Sequence, residues 1–419
     1  MQAINRKQLF VASCLSLLVT SLSFGIRAGL LDTWKHDFNL TQEQAGVIVS
    51  TAFWGFPLAI IVGGVVVDII GMKKLLVGAG IFHLAGIVLT ITATGFWSLF
   101  ISTLLIGIGN GTVEAACNPL VASLFPENKT TKLNHFHLWF PGGIVIGTLV
   151  VRFFGQTIPG TAYFSNGQLL VGLMLIPTVL YLYLFSKLKF PVTERVSSGV
   201  STGEMYKSLL NPLFWIMIIL MFGTAITELF TGQWIDVLLK NVSENAILLL
   251  TIETGIMVIG RAFAGPIVHR FSPSGVLLLS AIFATLGLYL LGHTTGNMLF
   301  VGAIAFGIGV CYFWPTMLGF VSENLPKTGA VGMNLMGGAG MFAVSVYMIF
   351  MGGYYDRLVS DKLATIKDVD PAVALNQAKA AAGPEIINVT MIIPIVLIFA
   401  FICLNLYMRG RTKKVLQPA

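Results

Sequence analysis

A chain of 419 residues that is 56% hydrophobic and only 10% charged, with a mean hydropathy of +0.85, is not built for water. An ordinary soluble domain carries roughly 25% charged residues, so soluble globular and disordered classes are excluded. The net charge of +7 comes from lysines and arginines gathered between apolar runs, which points to membrane orientation and anionic lipid headgroups rather than to nucleic acid.

A helix needs roughly 20 apolar residues to cross a ~30 Å hydrocarbon core. Runs that meet this lie at 8–31, 44–67, 74–94, 97–124, 135–156, 168–187, 211–238, 246–268, 275–293, 297–322, 329–352 and 389–408. They predict an all-α membrane protein with twelve transmembrane helices. The length of the first run marks it as a retained span, not a secretory signal. Cytoplasmic loops hold an excess of Lys and Arg, and Lys73, Lys74, Lys129, Lys132, Lys187, Lys189, Arg195 and the tail Arg409 to Lys414 all fall on one side if the N-terminus is inside. Both termini are then cytoplasmic, in a multi-pass protein of the cell (inner or plasma) membrane.

The chain echoes itself at a spacing of 200 residues. Gly107 and Gly109 recur as Gly307 and Gly309, Pro126 as Pro326 and Asn134 as Asn334, while a shift of 201 brings Gly64 onto Gly265. Two pseudo-symmetric six-helix bundles follow, 1–187 and 211–419, joined by the polar, Ser-rich cytoplasmic linker 188–210. Such duplication is the mark of a transporter with its site near the midplane. Residues 353–388 interrupt the second half. Asp356, Arg357, Asp361, Lys362, Asp368 and Asp370 precede an Ala-rich run ending at Gly383-Pro384, which predicts an outside loop with a short surface helix.

The turn between the second and third runs reads Gly64-Val-Val-Val-Asp68-Ile-Ile-Gly71-Met-Lys73-Lys74. Gly64 permits close helix contact, Asp68 offers an acceptor at a helix end, and Gly71 allows a tight turn. This resembles the signature loop of the major facilitator superfamily, with Ile69 where the family has a basic residue and His269 opposite Asp68 in the second copy. The resemblance covers nearly the whole chain. It implies a gating role for Asp68, Lys73 and Lys74 through salt bridges at the cytoplasmic face.

Charges inside the membrane cost roughly 2.5–3.5 kcal/mol each on insertion scales. Arg27, Arg152 and Arg261 match Glu114, Glu228 and Glu253 in number, so full pairing is arithmetically possible. Arg261 is placed to bridge to Glu323 as a further gating pair. Glu114 lies mid-helix, four residues before Asn118-Pro119. It is either an ion-pair partner of Arg27 or a carboxylate that takes up and releases a proton as its exposure alternates. Pro119 frees a backbone carbonyl one turn back. The four cysteines sit inside apolar runs without paired spacing, and His135 and His137 point about 200° apart on a helix, so neither a disulfide, a metal site nor a cofactor is expected. No nucleophile with a base at helical spacing and no phosphate-cradling loop appears, which argues against an enzyme.

The string Glu114-Ala-Ala-Cys-Asn118-Pro119, with Leu133-Asn134 and Gly142-Gly143, resembles the fucose-permease-type branch of that superfamily. The resemblance implies symport of a sugar or sugar-like metabolite with a proton, and a role in coupling and sugar binding for Glu114. Arg27 stands where the branch has an asparagine, and Ala28 near its helix-one aspartate. His137 falls where the branch has a glutamine, which adds a titratable group. The resemblance also implies that helices one, four, seven and ten line the cavity, by which Glu228 joins Glu114 and His137 as a proton-coupling candidate. Arg27, Asn118, Asn134, Trp139, Gln233, Trp234, Tyr312, Trp314 and Asn334 are the expected substrate contacts, offering polar groups beside aromatic faces that suit a sugar. Trp54 is expected in the cavity too, whereas Trp97 and Trp215 suit the membrane interface. The rival reading is an organic-anion or acidic-sugar carrier, motivated by Arg27 and Arg152. A transport-fold sensor that moves no solute is a third.

Overall fold

Proline interrupts several of the predicted runs a turn upstream of itself, because it removes an N–H and its ring clashes with the carbonyl of residue i−4. The computed structural model describes residues 4–155, 160, 165–239, 242, 246–367 and 369–416, and every regular element among them is helical. In chain order these are α1 (Arg6–Asp37), α2 (Gln42–Ile70), α3 (Met72–Ile91), α4 (Phe96–Leu124), α5 (Lys129–His137), α6 (Trp139–Phe154), α7 (Asn166–Gly172) and α8 (Leu175–Lys187). Two short helices follow, α9 (Glu194–Ser197) and α10 (Thr202–Ser208), then α11 (Pro212–Ala225), a π-helical turn at Ile226–Phe230, and α12 (Thr231–Leu239). The remainder is α13 (Ala246–Ala262), α14 (Ala264–His293), α15 (Met298–Val310), α16 (Phe313–Asn324), α17 (Gly329–Thr365) and α18 (Pro371–Leu416). Pro141, Pro177 and Pro315 account for the α5/α6, α7/α8 and α15/α16 breaks.

Eleven of the described helical stretches are long and apolar enough to cross a membrane. The other expected span, 246–268, is α13 continued into the start of α14. α13 by itself has 17 residues and is too short to stand among the eleven. The eighth and ninth runs part within α14 at Ser272, which adopts φ 60°, ψ 161° just before Pro273. Gly71, its counterpart at the 201-residue shift, holds the same kind of conformation, φ 88°, ψ 148°, between α2 and α3.

One expectation is corrected. Residues 353–388 are not a loop with a short surface helix, because α17 continues to Thr365 and α18 begins at Pro371. The Ala-rich stretch is a strong helix former, and Ala378 and Ala382 are fully buried while Lys362 pairs with Glu385 across the two helices. Asp368 lies outside the described residues.

The chain forms two compact units. Unit 1 comprises Met1–Trp215 and Val321–Gly338, and unit 2 comprises Ile216–Phe320 and Ala339–Ala419. Val321–Gly338, which chain order puts in the second half, thus groups with the first. In unit 1, α4 is the hub, packed on α2 and α3, while α1 packs on α6. A Cβ at Gly111 would lie 2.2 Å from the Phe56 carbonyl oxygen, so glycine sets the α2–α4 separation. In unit 2 the same holds at Gly309, where a Cβ would lie 2.2 Å from the Ala284 nitrogen and push α15 off α14.

Candidate functional site

In unit 1, the spacing of four residues puts Glu114 and Asn118 on one face of α4. Asn118 donates from Nδ2 to Glu114 Oε2 at 2.7 Å. His137, the last residue of α5, faces both. Its Nε2 is 3.0 Å from Asn118 Oδ1, which as an amide oxygen only accepts, so Nε2 carries the hydrogen. Its Nδ1 then faces Glu114 Oε1 at 3.8 Å. All three residues are buried, at 2% exposure or less. Nδ1 and the carboxylate can hold one proton between them, as an imidazolium–carboxylate pair or as a carboxylic acid beside a neutral ring, and the site carries a net charge when that proton leaves.

Pro119 frees the Ala115 carbonyl as expected, and Asn334 of α17 fills it, donating from Nδ2 at 2.9 Å. Its echo, Asn134, instead donates to Thr130 O within α5 at 2.9 Å.

Unit 2 builds its charged cluster around the π-helical turn, a distortion frequent at functional sites. Glu228 in that turn accepts from Arg261 Nη2 at 2.8 Å and from the Trp314 backbone N–H at 3.3 Å. The second bond exists because the break before α16 leaves the N–H groups of its first turn without helical partners. Pro315 also frees the Cys311 carbonyl, and Arg261 Nε donates to it at 2.6 Å. The anticipated bridge from Arg261 to Glu323 is therefore corrected: a buried guanidinium takes the carboxylate and freed carbonyl beside it, and Glu323 Oε1 accepts from Thr130 N at 3.0 Å and Thr130 Oγ1 at 2.6 Å. Glu253, left out of the predicted site, is 2% exposed and its Oε2 has no hydrogen-bond partner among the described residues. A Cβ at Gly232 would come within 3.2 Å of its Oε1, so a larger residue there would make the carboxylate shift by a few tenths of an ångström.

The predicted substrate contacts fall into several settings. Tyr312 and Trp314 are buried, and the Tyr312 hydroxyl donates to Gly260 O at 2.7 Å. Trp234 is half-buried and stacks on Phe230 at 5.2 Å, while Gln233 is exposed. Trp139 is half-buried, and its carbonyl accepts from Ser21 Oγ at 2.9 Å. Trp54 is 72% exposed. Arg27 is buried and makes no ion pair among the described residues, so it is not the partner of Glu114; its guanidinium lies over the Phe24 ring at 5.0 Å. Arg152 lines an open cavity of about 810 Å³ with Asp37 and Thr148.

Sequence reasoning missed two networks. One is buried in the α1, α3, α4, α8 interior: the Tyr181 hydroxyl is 2.7 Å from His83 Nδ1, His83 Nε2 is 2.9 Å from Asn110 Oδ1, and Asn110 Nδ2 donates to Ser23 Oγ at 3.2 Å. The other is in the supposed linker. Arg195 Nε donates to Asp68 Oδ2 at 2.6 Å, Thr193 Oγ1 donates to Asp68 Oδ1, and Arg195 Nη1 donates to Val200 O at 2.6 Å. Lys129 Nζ reaches Glu194 at 2.6 Å and Ser322 O at 3.2 Å, and Lys73 Nζ donates to Leu188 O at 3.0 Å. Lys74 is exposed, as is His269, the counterpart of buried Asp68. The adjacent Thr193-Glu194-Arg195 was the available signal, a hydroxyl, an acid and a base next to one another in a stretch otherwise read as filler.

A profile of the Major Facilitator Superfamily matches residues 13–347. The fucose:proton symporter FucP of E. coli has a similar structure, at TM-score 0.70 and 17% identity, covering 93% of this chain and 98% of that one. Among curated relatives, a facilitated glucose transporter (solute carrier family 2, member 10) of Xenopus laevis is 26% identical over 181 residues, which is 42% of this chain and 32% of that protein. A probable chloroplastic anion transporter of Arabidopsis thaliana is 25% identical over 171 residues, 41% of this chain and 32% of its own length. The matched stretch spans about a third of the length of these curated relatives. With the helical fold and the profile extending over most of its length, the chain is a multi-pass membrane protein and belongs to the Major Facilitator Superfamily.

Proposed function

We propose that this protein is a secondary active transporter, not an enzyme, that carries a sugar or sugar-like metabolite across the cell membrane by alternating access in symport with a proton. The observation that carries the reading is the buried Glu114–Asn118–His137 cluster. A site that is neutral with one proton and charged without it crosses a low-dielectric barrier far more readily in the protonated state, since an uncompensated buried charge costs several kcal/mol. Proton uptake at Glu114 and His137 on one face and release on the other then drives the cycle. Each pH unit of gradient supplies about 1.36 kcal/mol per proton, a tenfold accumulation. Glu228 contributes as the second coupling carboxylate, held by Arg261. The names of the glucose-transporting and fucose:proton-symporting relatives support a sugar as substrate. Asn118 supplies hydrogen bonds, and Trp139, Trp234 and Trp314 supply the flat faces that a pyranose ring stacks on.

Both termini are cytoplasmic in this reading, and the contacts of Asp68 with Thr193 and Arg195, of Lys129 with Glu194 and Ser322, and of Glu323 with Thr130 form the cytoplasmic lock. Opening to the cytosol breaks the contacts of Lys129 with Ser322 and of Thr130 with Glu323, because Val321–Gly338 must leave the N-terminal residues with which it clusters. Uptake by the purified protein in liposomes, with an imposed pH gradient and a pool of labelled neutral and acidic sugars, tests the proposal. Uphill accumulation of a neutral sugar supports it, and binding without flux contradicts it. Arg152 on an open cavity and the chloroplastic anion-transporting relative favour the second reading, an organic-anion carrier. Accumulation confined to the acidic members of the pool identifies that case.

A further inference from the structure

Arg27 sets a problem that coupling and sugar binding do not solve. Its side chain is 9% exposed, inside unit 1, and among the described residues its guanidinium has neither a hydrogen-bond acceptor nor a carboxylate, only the face of Phe24. A buried cation without a counter-charge costs several kcal/mol. It lines a cavity of about 20 Å³ between α1, α3, α4 and the α7/α8 break, together with Ser23, Trp34, Thr90 and Thr103 and otherwise apolar side chains.

The charge of that lining is one-sided. Ser23, Thr90 and Thr103 each donate their hydroxyl hydrogen to a carbonyl of their own helix, at 2.6, 2.8 and 2.7 Å. Trp34 is 7% exposed, and its indole nitrogen has no acceptor among the described residues. The unspent donors of the lining are thus the guanidinium and the indole N–H, while the three hydroxyl oxygens keep lone pairs but carry no charge to balance Arg27. No acidic residue lines it. A water molecule offers an acceptor but no charge. The volume admits one body about the size of a water molecule, since roughly 10–15 Å³ on this measure is needed for one, and excludes a hexose or a uronate.

We infer that the Arg27–Trp34 cavity is a binding site for one small inorganic monovalent anion of the halide class, which neutralises Arg27 and ties α1 to α3 and α4. Neighbouring Ser23 joins the site to the buried Asn110–His83–Tyr181 network, so occupancy also fixes the packing of this bundle.

The test is thermal unfolding of the purified full chain at constant ionic strength as gluconate is exchanged for chloride or bromide, with a hexuronate as a separate arm. A saturable rise in Tm with either halide, absent in Arg27→Gln, is the expected result. Where Arg27→Gln fails to fold, the wild-type titration alone decides, with bromide located at Arg27 by anomalous scattering. Identical Tm in gluconate and halide, or protection by hexuronate and not by halide, overturns the inference.

Discussion

Ser272→Gly is predicted to stabilise the protein. Ser272 holds φ 60°, ψ 161°, a region that is essentially glycine-only, and such a residue costs about 1–3 kcal/mol. Glycine relieves this strain and gives back about 0.5–1 kcal/mol through the greater freedom of the unfolded chain. The serine hydroxyl has only Ser274 Oγ at 3.4 Å, the outer limit of a hydrogen bond, and the residue is exposed, so little else is lost. The net gain is about 0.5–2 kcal/mol, a rise in Tm of a few °C in detergent. The reciprocal change is its control. Gly71 adopts the matching conformation, and a Cβ there meets no atom within 4 Å, so Gly71→Ser introduces backbone strain without a clash and lowers Tm by a similar amount. An unchanged or lowered Tm in Ser272→Gly, alongside a lowered Tm in Gly71→Ser, refutes the claim that the two turns share one strained geometry.

Arg195→Ala leaves Asp68 buried with only Thr193, and losing one partner of a buried pair costs about 3–5 kcal/mol. Hydrogen exchange across 188–210 accelerates accordingly, and Asp68→Ala in the same chain recovers part of the loss; additive effects contradict the pairing. Asn334→Ala abandons the Ala115 carbonyl beside Glu114 and lowers stability by about 1–3 kcal/mol in thermal unfolding, and an unchanged Tm contradicts that bond. Glu228→Gln removes the carboxylate charge from the Arg261–Glu228 pair, so a double-mutant cycle with Arg261→Gln shows a non-zero coupling energy, and additive effects contradict the pair.

The fold was legible because hydrophobic run length and the 200-residue echo are one-dimensional signals. What a run does at its ends is not, which is why 353–388 looked like a loop although its alanines had a helical surface to bury against. Glu114 stands out in the sequence as a mid-membrane charge, Asn118 and His137 come from the resemblance to the fucose-permease-type branch, and the structure puts the three side chains together. The partners were harder. Arg27 and Glu114 look complementary by charge, but direction around a helix decides contact, and Glu114 meets His137 while Arg27 faces a separate cavity. Arg261 was expected to seek Glu323, yet the π-helical turn that carries Glu228 toward it leaves no mark in composition. The linker looked like filler because a salt bridge between Asp68 and Arg195 spans 127 positions of chain.

Proton coupling through Glu114 is tested most directly by comparing net uptake with exchange in Glu114→Gln, reconstituted in liposomes. The substitution keeps an acceptor for Asn118 Nδ2 but cannot release a proton. Sugar counterflow at equal pH persists while accumulation driven by an imposed pH gradient disappears. Accumulation in Glu114→Gln equal to wild type contradicts the account.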